Sequence, residues 1–356
     1  MSTVAEAPRP EAHGAAQPVL SVSGLSVTLR TPRGTVRAVN NIAFEARAGE
    51  TLALLGESGC GKSMTAKAIA GLLDPVAEVD GGEVLLNGKD LTRMSSRQRR
   101  KIAGPELGIV FQDALTALNP VYKVGTQLGE AFRIHQKLSA KKSRAKAIEL
   151  MARVGIPEPE SRVDAYPHQF SGGMRQRILI AMAVALNPKL LIADEPTTAL
   201  DVTIQAQIMA LLKSLREENN LAVVLITHDL AVVAEEADTV AVMYAGNVVE
   251  TGRVADVFSR PRHPYTKGLL ESVPVDAERG SRLTSIPGSP PELHKIPPGC
   301  VYQSRCPLVQ DICRAERPEL LPVSPAPDAA VSAGAERGGG LIQASACHFS
   351  EELSNV

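Results

Sequence analysis

The residues that could do chemistry begin with Gly56-Glu57-Ser58-Gly59-Cys60-Gly61-Lys62-Ser63 and the adjoining Met64. Their spacing is G-x-x-x-x-G-K-S. The glycines of this pattern let the backbone curl until its N–H groups converge on phosphate oxygens. A helix starting at the end of the loop adds partial positive charge at the same point. Lys62 then reaches the β- and γ-phosphates of a nucleoside triphosphate, and Ser63 offers a hydroxyl to Mg²⁺. Cys60 lies inside the loop. Its thiol is either a tolerated small side chain or, with its pKa lowered by the loop's positive field, an oxidation-sensitive group.

Two acids close a second apolar run, Leu190-Leu191-Ile192-Ala193-Asp194-Glu195. Asp194 fits the support of Mg²⁺ at a strand's C-terminal end. Glu195 fits a group that orients or deprotonates a water. Adjacent carboxylates at a buried strand end are costly without a cation nearby. In Phe170-Ser171-Gly172-Gly173-Met174-Arg175-Gln176-Arg177, a hydroxyl and two glycines precede a helical segment, which makes a second anion-binding turn. Alone, that turn carries little weight. His228 follows another apolar run, where sites gather in α/β sheets. By itself a structural histidine explains it equally well.

These groups need a scaffold to bring them together. Short apolar strands broken by turns are expected over 19–55, ending in a buried strand at 51–55 and a helix at 64–73. Another strand and turn follow at 81–91. Lys and Arg accumulate over 95–177, with helical periodicity at 127–136 and 140–154, which reads as a helical insertion. The core resumes with a strand at 189–193, a helix at 203–218, a strand at 221–226 and a hairpin at 240–251. Strands alternating with helices argue an α/β fold with a mostly parallel sheet. No internal repeat is visible, so one nucleotide unit is expected.

Composition narrows the function classes. The 356 residues carry a net charge of −1, with 3% aromatic residues and no Trp. That gives neither an electrostatic footprint for nucleic acid nor stacking platforms for single strands. No apolar run is long enough to span a bilayer. Residues 1–18 lack a secretion-signal core and read as a disordered tail. The five cysteines are expected reduced or metal-bound in a cytosolic setting.

Taken in order, the phosphate loop, Gln112, Ser-Gly-Gly-x-x-Gln, Asp-Glu and His228 resemble the ATP-binding cassette of ABC transporters. The resemblance covers 19–261 and implies a RecA-like nucleotide-binding domain with a helical subdomain at about 95–177. It implies head-to-tail dimerisation around two ATP molecules. Ser171, Gly172 and Gly173, with Gln176 in the same motif, would face the γ-phosphate held by the partner's loop. Gln112 would sense Mg²⁺ and the attacking water and couple to membrane subunits. Asp201 would bridge the two sites, and His228 would contact the γ-phosphate. Ser63, Gln112 and Asp194 would serve Mg²⁺, with Glu195, His228 and Gln112 as the catalytic set. One departure concerns adenine: Leu29, Arg33 and Val36 stand where the family often places an aromatic residue.

Residues 262–356 turn Pro-rich and read as an irregular, Cys-containing extension, and they add a second resemblance. His263-Pro264-Tyr265-Thr266-Lys267-Gly268, Pro287-Gly288-Ser289-Pro290-Pro291, Pro298-Gly299-Cys300 and Arg305-Cys306-Pro307 resemble the C-terminal extension of dipeptide/oligopeptide ABC importers. The implied function is ATP-powered peptide import at the cytoplasmic face of the plasma (inner) membrane. The implied partners are a second ABC ATPase subunit of paralogous sequence, two transmembrane permeases and an extracytoplasmic substrate-binding protein, with no nucleic acid. Nickel or another small solute is the alternative cargo. A soluble ABC ATPase acting on DNA or ribosomes would call for tandem cassettes, coiled coils or a basic patch, none of which is visible. Cys300, Cys306, Cys313 and Cys347 are expected to form a metal site, as a [4Fe–4S] cluster or Zn²⁺, with free thiols the remaining reading. The Pro-rich stretch 322–340 reads as a mobile loop.

Overall fold

The computed structural model of the chain describes residues 17–32, 34–112, 117–198, 200–272, 285–324 and 342–355. Residues 1–16 of the expected tail, Arg33 of the adenine region and 325–340 of the expected loop lie outside them.

The chain opens with β1 (Leu20–Thr31), β2 (Gly34–Ala46), β3 (Thr51–Leu55) and α1 (Lys62–Ala70). It continues through β4 (Ala77–Leu86), β5 (Lys89–Asp90), α2 (Ser96–Ile102) and β6 (Leu107–Val110). A helical layer follows: α3 (Val124–Gln136), α4 (Ala140–Arg153), α5 (Pro159–Arg162) and α6 (Gly172–Val184). Next come β7 (Leu190–Asp194), α7 (Val202–Asn219), β8 (Ala222–Thr227), α8 (Leu230–Glu236), β9 (Thr239–Tyr244) and β10 (Asn247–Arg253). α9 (Val254–Ser259) follows, and the extension holds α10 (Pro264–Glu271), α11 (Asp311–Ala315), β11 (Leu321–Pro322) and β12 (Ala344–Ser345).

Among the described residues two sheets form. One is antiparallel, in the order β2-β1-β4-β5. The other runs β11-β12-β10-β9-β3-β8-β7-β6, and its five strands from β9 to β6 are parallel. Every residue of β3, β7 and β8 is buried, as a parallel sheet covered on both faces requires. Full burial of a side chain such as Leu54 or Ile226 contributes about 2 kcal/mol. In the helical layer, Val124, Leu128 and Phe132 stripe one face of α3 and pack in one cluster with Ala147, Leu150 and Met151 of α4. Ser139 caps α4 by accepting the Lys142 N–H at 3.4 Å.

Three features differ from the sequence reading. β1 and β2 are long strands of one hairpin rather than short broken ones, with register shifts that bend β1. The stretch 95–177 is not wholly helical, because Leu107–Val110 joins the parallel sheet beside β7. Four residues are too few to show a period, and only the pairing with β7 makes them a strand. The extension is stitched into the main sheet. β12 pairs with β10 through Glu250↔Ser345 and Thr251↔Ala344, and β11 pairs with β12. Pro322 sits on that outermost strand, where a missing N–H leaves no ladder bond broken.

Candidate functional site

The parallel strands point their carboxyl ends the same way, and four of them deliver the site. The phosphate loop follows β3, Gln112 follows β6, Asp194 and Glu195 end β7, and His228 follows β8. Ligand sites of open α/β sheets sit outside these strand ends.

Gly61 turns the loop into α1 with φ 109°, and a Cβ there would come within 2.8 Å of the Ala38 carbonyl oxygen, so only glycine fits. Lys62 is buried, and its Nζ donates to the carbonyls of Gly56 at 2.7 Å and Glu57 at 3.0 Å. The ammonium is thereby fixed inside the curl of the loop. Ser63 Oγ donates to Asp194 Oδ1 at 3.0 Å. Burial raises the Asp194 pKa, and the neighbouring Glu195 charge adds to the rise against the Ser63 hydrogen bond. A hard cation would restore the charged form, and a hydroxyl beside a carboxylate is an oxygen donor set suited to Mg²⁺.

Glu195 is the hub of the second half. Its φ of 45° is a left-handed conformation that a non-glycine residue adopts at a cost. Its N–H donates to the Ile226 carbonyl at 2.9 Å, which locks that turn. The carboxylate accepts Gln112 Nε2 at 2.8 Å and Thr198 Oγ1 at 2.8 Å, and stands 3.1 Å from His228 Nδ1. Burial alone would raise its pKa, but the bonds from Thr198 and His228 outweigh it and hold the carboxylate below its ordinary range. The result is an ionised acceptor between an amide, a hydroxyl and an exposed imidazole.

Ser171, Gly172, Gly173 and Gln176 stand on another element. Ser171 caps α6 by accepting the Met174 N–H at 3.3 Å. A Cβ on Gly173 would lie 2.7 Å from Ile204 Cγ2, so any larger residue there would have to displace the Ile204 side chain of α7. Gln176 is buried. Asp201 caps α7 through the Ile204 N–H at 2.9 Å. Leu29 faces Val36 across the β1–β2 hairpin, both half-buried. Cys60 is 4% exposed, and burial pushes its thiol pKa up despite Lys62, so the loop's field does not activate it.

The expectation of a [4Fe–4S] or Zn²⁺ site at Cys300, Cys306, Cys313 and Cys347 is corrected. Among the described residues no group of three or more His, Cys, Asp or Glu is placed to hold a metal ion. The four cysteines do line one cavity, but it has about 10 Å³, room for about one water. Burial pushes Cys306 up to about 11 and Cys347 up to about 12, and raises Cys300 as well, which disfavours the thiolates a metal needs. Cys300 and Cys313 instead serve as small apolar side chains in the cluster with Tyr244, Tyr265 and Tyr302. That cluster packs the extension against β9 and β10.

The sequence reading gave Thr198, Tyr265 and Arg305 no role at the site. Tyr265 Oη accepts the Glu57 N–H, and Arg305 grips the Glu57 carboxylate from 248 residues away, a distance at which no local pattern signals a contact.

A phosphate-type loop at one strand end, with a carboxylate–amide–imidazole group at its neighbours, defines a nucleotide-binding cassette of the ABC class. Residues 39–198 match the family model described as ABC transporter, and 249–313 match that of the oligopeptide/dipeptide transporter C-terminal region. The chain is 53% identical to the dipeptide transport ATP-binding protein DppD of Bacillus subtilis, over 83% of this chain and 88% of that one. It is 51% identical to the DppD protein of Escherichia coli, over 85% and 92%. It is 49% identical to the oligopeptide transport ATP-binding protein OppD of Bacillus subtilis, over 86% of each. A dimeric, post-hydrolysis ATP-binding cassette bound to ADP and Pi superposes with a TM-score of 0.60 at 27% identity, covering 66% of this chain and 98% of that one. The chain belongs to the ATP-binding proteins of dipeptide and oligopeptide ABC transporters.

Proposed function

We propose that this chain hydrolyses ATP to drive import of di- or oligopeptides through a membrane complex. The observation that carries the reading is the convergence of Lys62, Ser63, Asp194, Glu195, Gln112 and His228 on adjacent strand ends. The match of the C-terminal region to peptide transporters supports the cargo class.

In this reading Gly56 to Met64 cradles the phosphates, and Lys62 neutralises the β- and γ-oxygens. Ser63, Asp194 and Gln112 would hold Mg²⁺. Bound there, the ion would supply positive charge against the negative charge that develops on the phosphate oxygens. Glu195 orients and deprotonates the attacking water, and His228 fixes that carboxylate and contacts the γ-phosphate. Ser171, Gly172, Gly173 and Gln176 complete the site of an opposing cassette, and Asp201 links the two sites.

Residues 19–261 are the nucleotide-binding unit, with the helical layer as its subdomain, and 262–356 are the extension. The partners are a second cassette, by preference a paralogue, two permeases and an extracytoplasmic binding protein. Among the described residues no helix is long and apolar enough to cross a membrane. In this reading attachment runs through those permeases at the cytoplasmic face. Affinity purification of the full chain from detergent-solubilised native membranes tests the assembly. Two permeases and a second cassette should co-purify, and recovery of soluble proteins alone would contradict it.

A further inference from the structure

Glu57, the second residue of the phosphate loop, is held at every polar handle. Its N–H donates to Tyr265 Oη at 3.0 Å, and its carbonyl accepts Lys62 Nζ at 3.0 Å. Its carboxylate accepts both outer nitrogens of Arg305, at 2.6 and 3.1 Å. Two of these three partners belong to the C-terminal extension.

Arg305 is itself fixed from all sides. It is 5% exposed. Its Nε donates to the Pro287 carbonyl at 2.8 Å, and its outer nitrogens reach the Ile286 carbonyl at 3.5 Å and Tyr244 Oη at 3.4 Å. Its Cζ lies 5.7 Å from the Tyr244 ring centroid. Tyr244 packs against Tyr265 at 4.6 Å and Tyr302 at 5.2 Å between centroids, so the guanidinium rests on an aromatic platform. A forked guanidinium on a carboxylate fixes direction as well as charge. Being buried and permanently charged, Arg305 requires this partner, and the loop must keep Glu57 in place to supply it. A shift of Glu57 also moves one of the two carbonyls that seat the Lys62 ammonium.

We propose that Arg305 is a positioning residue for the phosphate loop, so that the C-terminal extension sets nucleotide affinity through Glu57. The proposal rests on the ATPase reading above. It deepens that reading by making the extension part of the nucleotide site.

The test is a double-mutant cycle in the assembled full-length complex, with MgATP as the probe. Arg305→Met and Glu57→Gln should each raise the Kd for ATP about tenfold, because a bidentate charged pair is lost. KM should rise in parallel, with kcat changing less. The double variant should bind no worse than the weaker single one, since both remove the same interaction. Arg305→Lys, which keeps the charge but loses the fork, should fall between wild type and Arg305→Met. A lowered Tm with Kd within about twofold of wild type in either single variant would overturn the proposal. Should Arg305→Met fail to fold, Glu57→Gln on the less buried side of the pair decides by the same criterion. Lys62→Ala separates the two claims. If it binds ATP like wild type, the ATPase reading falls and takes this proposal with it. If it loses binding while the Arg305 variants do not, this proposal alone falls.

Discussion

Glu195 Oε1 stands 3.1 Å from His228 Nδ1, which couples the acid at the end of one parallel strand to the imidazole at the end of the next. The Gln112 amide and the Thr198 hydroxyl occupy the other carboxylate oxygen. A carboxylate so held stays ionised and aimed, as a water-activating base must be. Glu195→Gln keeps the shape and most of these bonds but removes the base. Its kcat should fall about 100-fold or more, with ATP still bound. Single-turnover hydrolysis at the wild-type rate would show that the base lies elsewhere.

Ser171 caps α6 through the Met174 N–H, whereas Lys62 bonds to carbonyls of its own loop. Ser171→Arg should therefore spare ATP binding to the phosphate loop while blocking closure against an opposing cassette. Photolabelling with an azido-ATP in the complex should remain near wild type, while steady-state hydrolysis falls about 100-fold or more. Loss of labelling equal to that of Lys62→Ala would place Ser171 in its own chain's site instead.

Cys60 tests whether the loop is open to thiol chemistry. Buried and with a raised pKa, it should alkylate at least about tenfold more slowly than an exposed cysteine. ATPase activity should survive brief treatment with iodoacetamide. Mass mapping that finds Cys60 fully modified in the active protein would contradict that placement.

The join between the sheet and the extension carries a pH signature. Glu250 is fully buried, and burial pushes its carboxyl up to about 7 from 4.5. The N–H groups of Arg262 and His263 and the Gln343 amide act against that rise, while the Arg262 guanidinium faces Glu351 instead. Between pH 4.5 and 7 the folded chain keeps a proton that the unfolded chain releases. The Glu250 contribution is therefore complete below the lower value and is lost as pH rises through the upper one. His263 has the opposite sign. Burial pulls it down to about 3 from 6.5, so its contribution is present above 6.5 and lost as pH falls through about 3. The two offset each other where their windows overlap. Glu250→Gln removes one and leaves the other, so between about pH 5 and 8 the variant should gain about 3 kcal/mol relative to wild type. Urea unfolding midpoints at the two pH values measure this. A pH-independent difference would mean that Glu250 is ionised in the folded chain.

Local patterns carried much of the architecture. The strands at β3, β7 and β8 were legible as unbroken apolar runs, and α3, α4 and α7 as periodic ones, with bounds shifted by a few residues at most. Lys62, Ser63, Asp194, Glu195 and His228 were singled out as candidates because each stands at or just beyond the end of such a run. β6 was hidden because its four residues acquire strand character only through β7. The extension was placed in its family by its motifs, but its order was hidden for a related reason. Its order comes from two short edge strands, a tyrosine cluster and the Arg305–Glu57 pair, all long-range contacts. Cysteine spacing suggested a metal, yet spacing does not reveal that Cys300 and Cys313 would pack beside Tyr302 as apolar side chains.

The central claim is that hydrolysis at Glu195 drives peptide movement. The most direct measurement is uptake of a radiolabelled dipeptide or oligopeptide into proteoliposomes holding the complex purified with this chain, its binding protein and ATP on the side of the cassette. ATP-dependent accumulation that disappears, together with ATPase activity, in Glu195→Gln is the predicted result. Uptake that persists in Glu195→Gln while hydrolysis is lost, or hydrolysis with no peptide uptake at all, would contradict it.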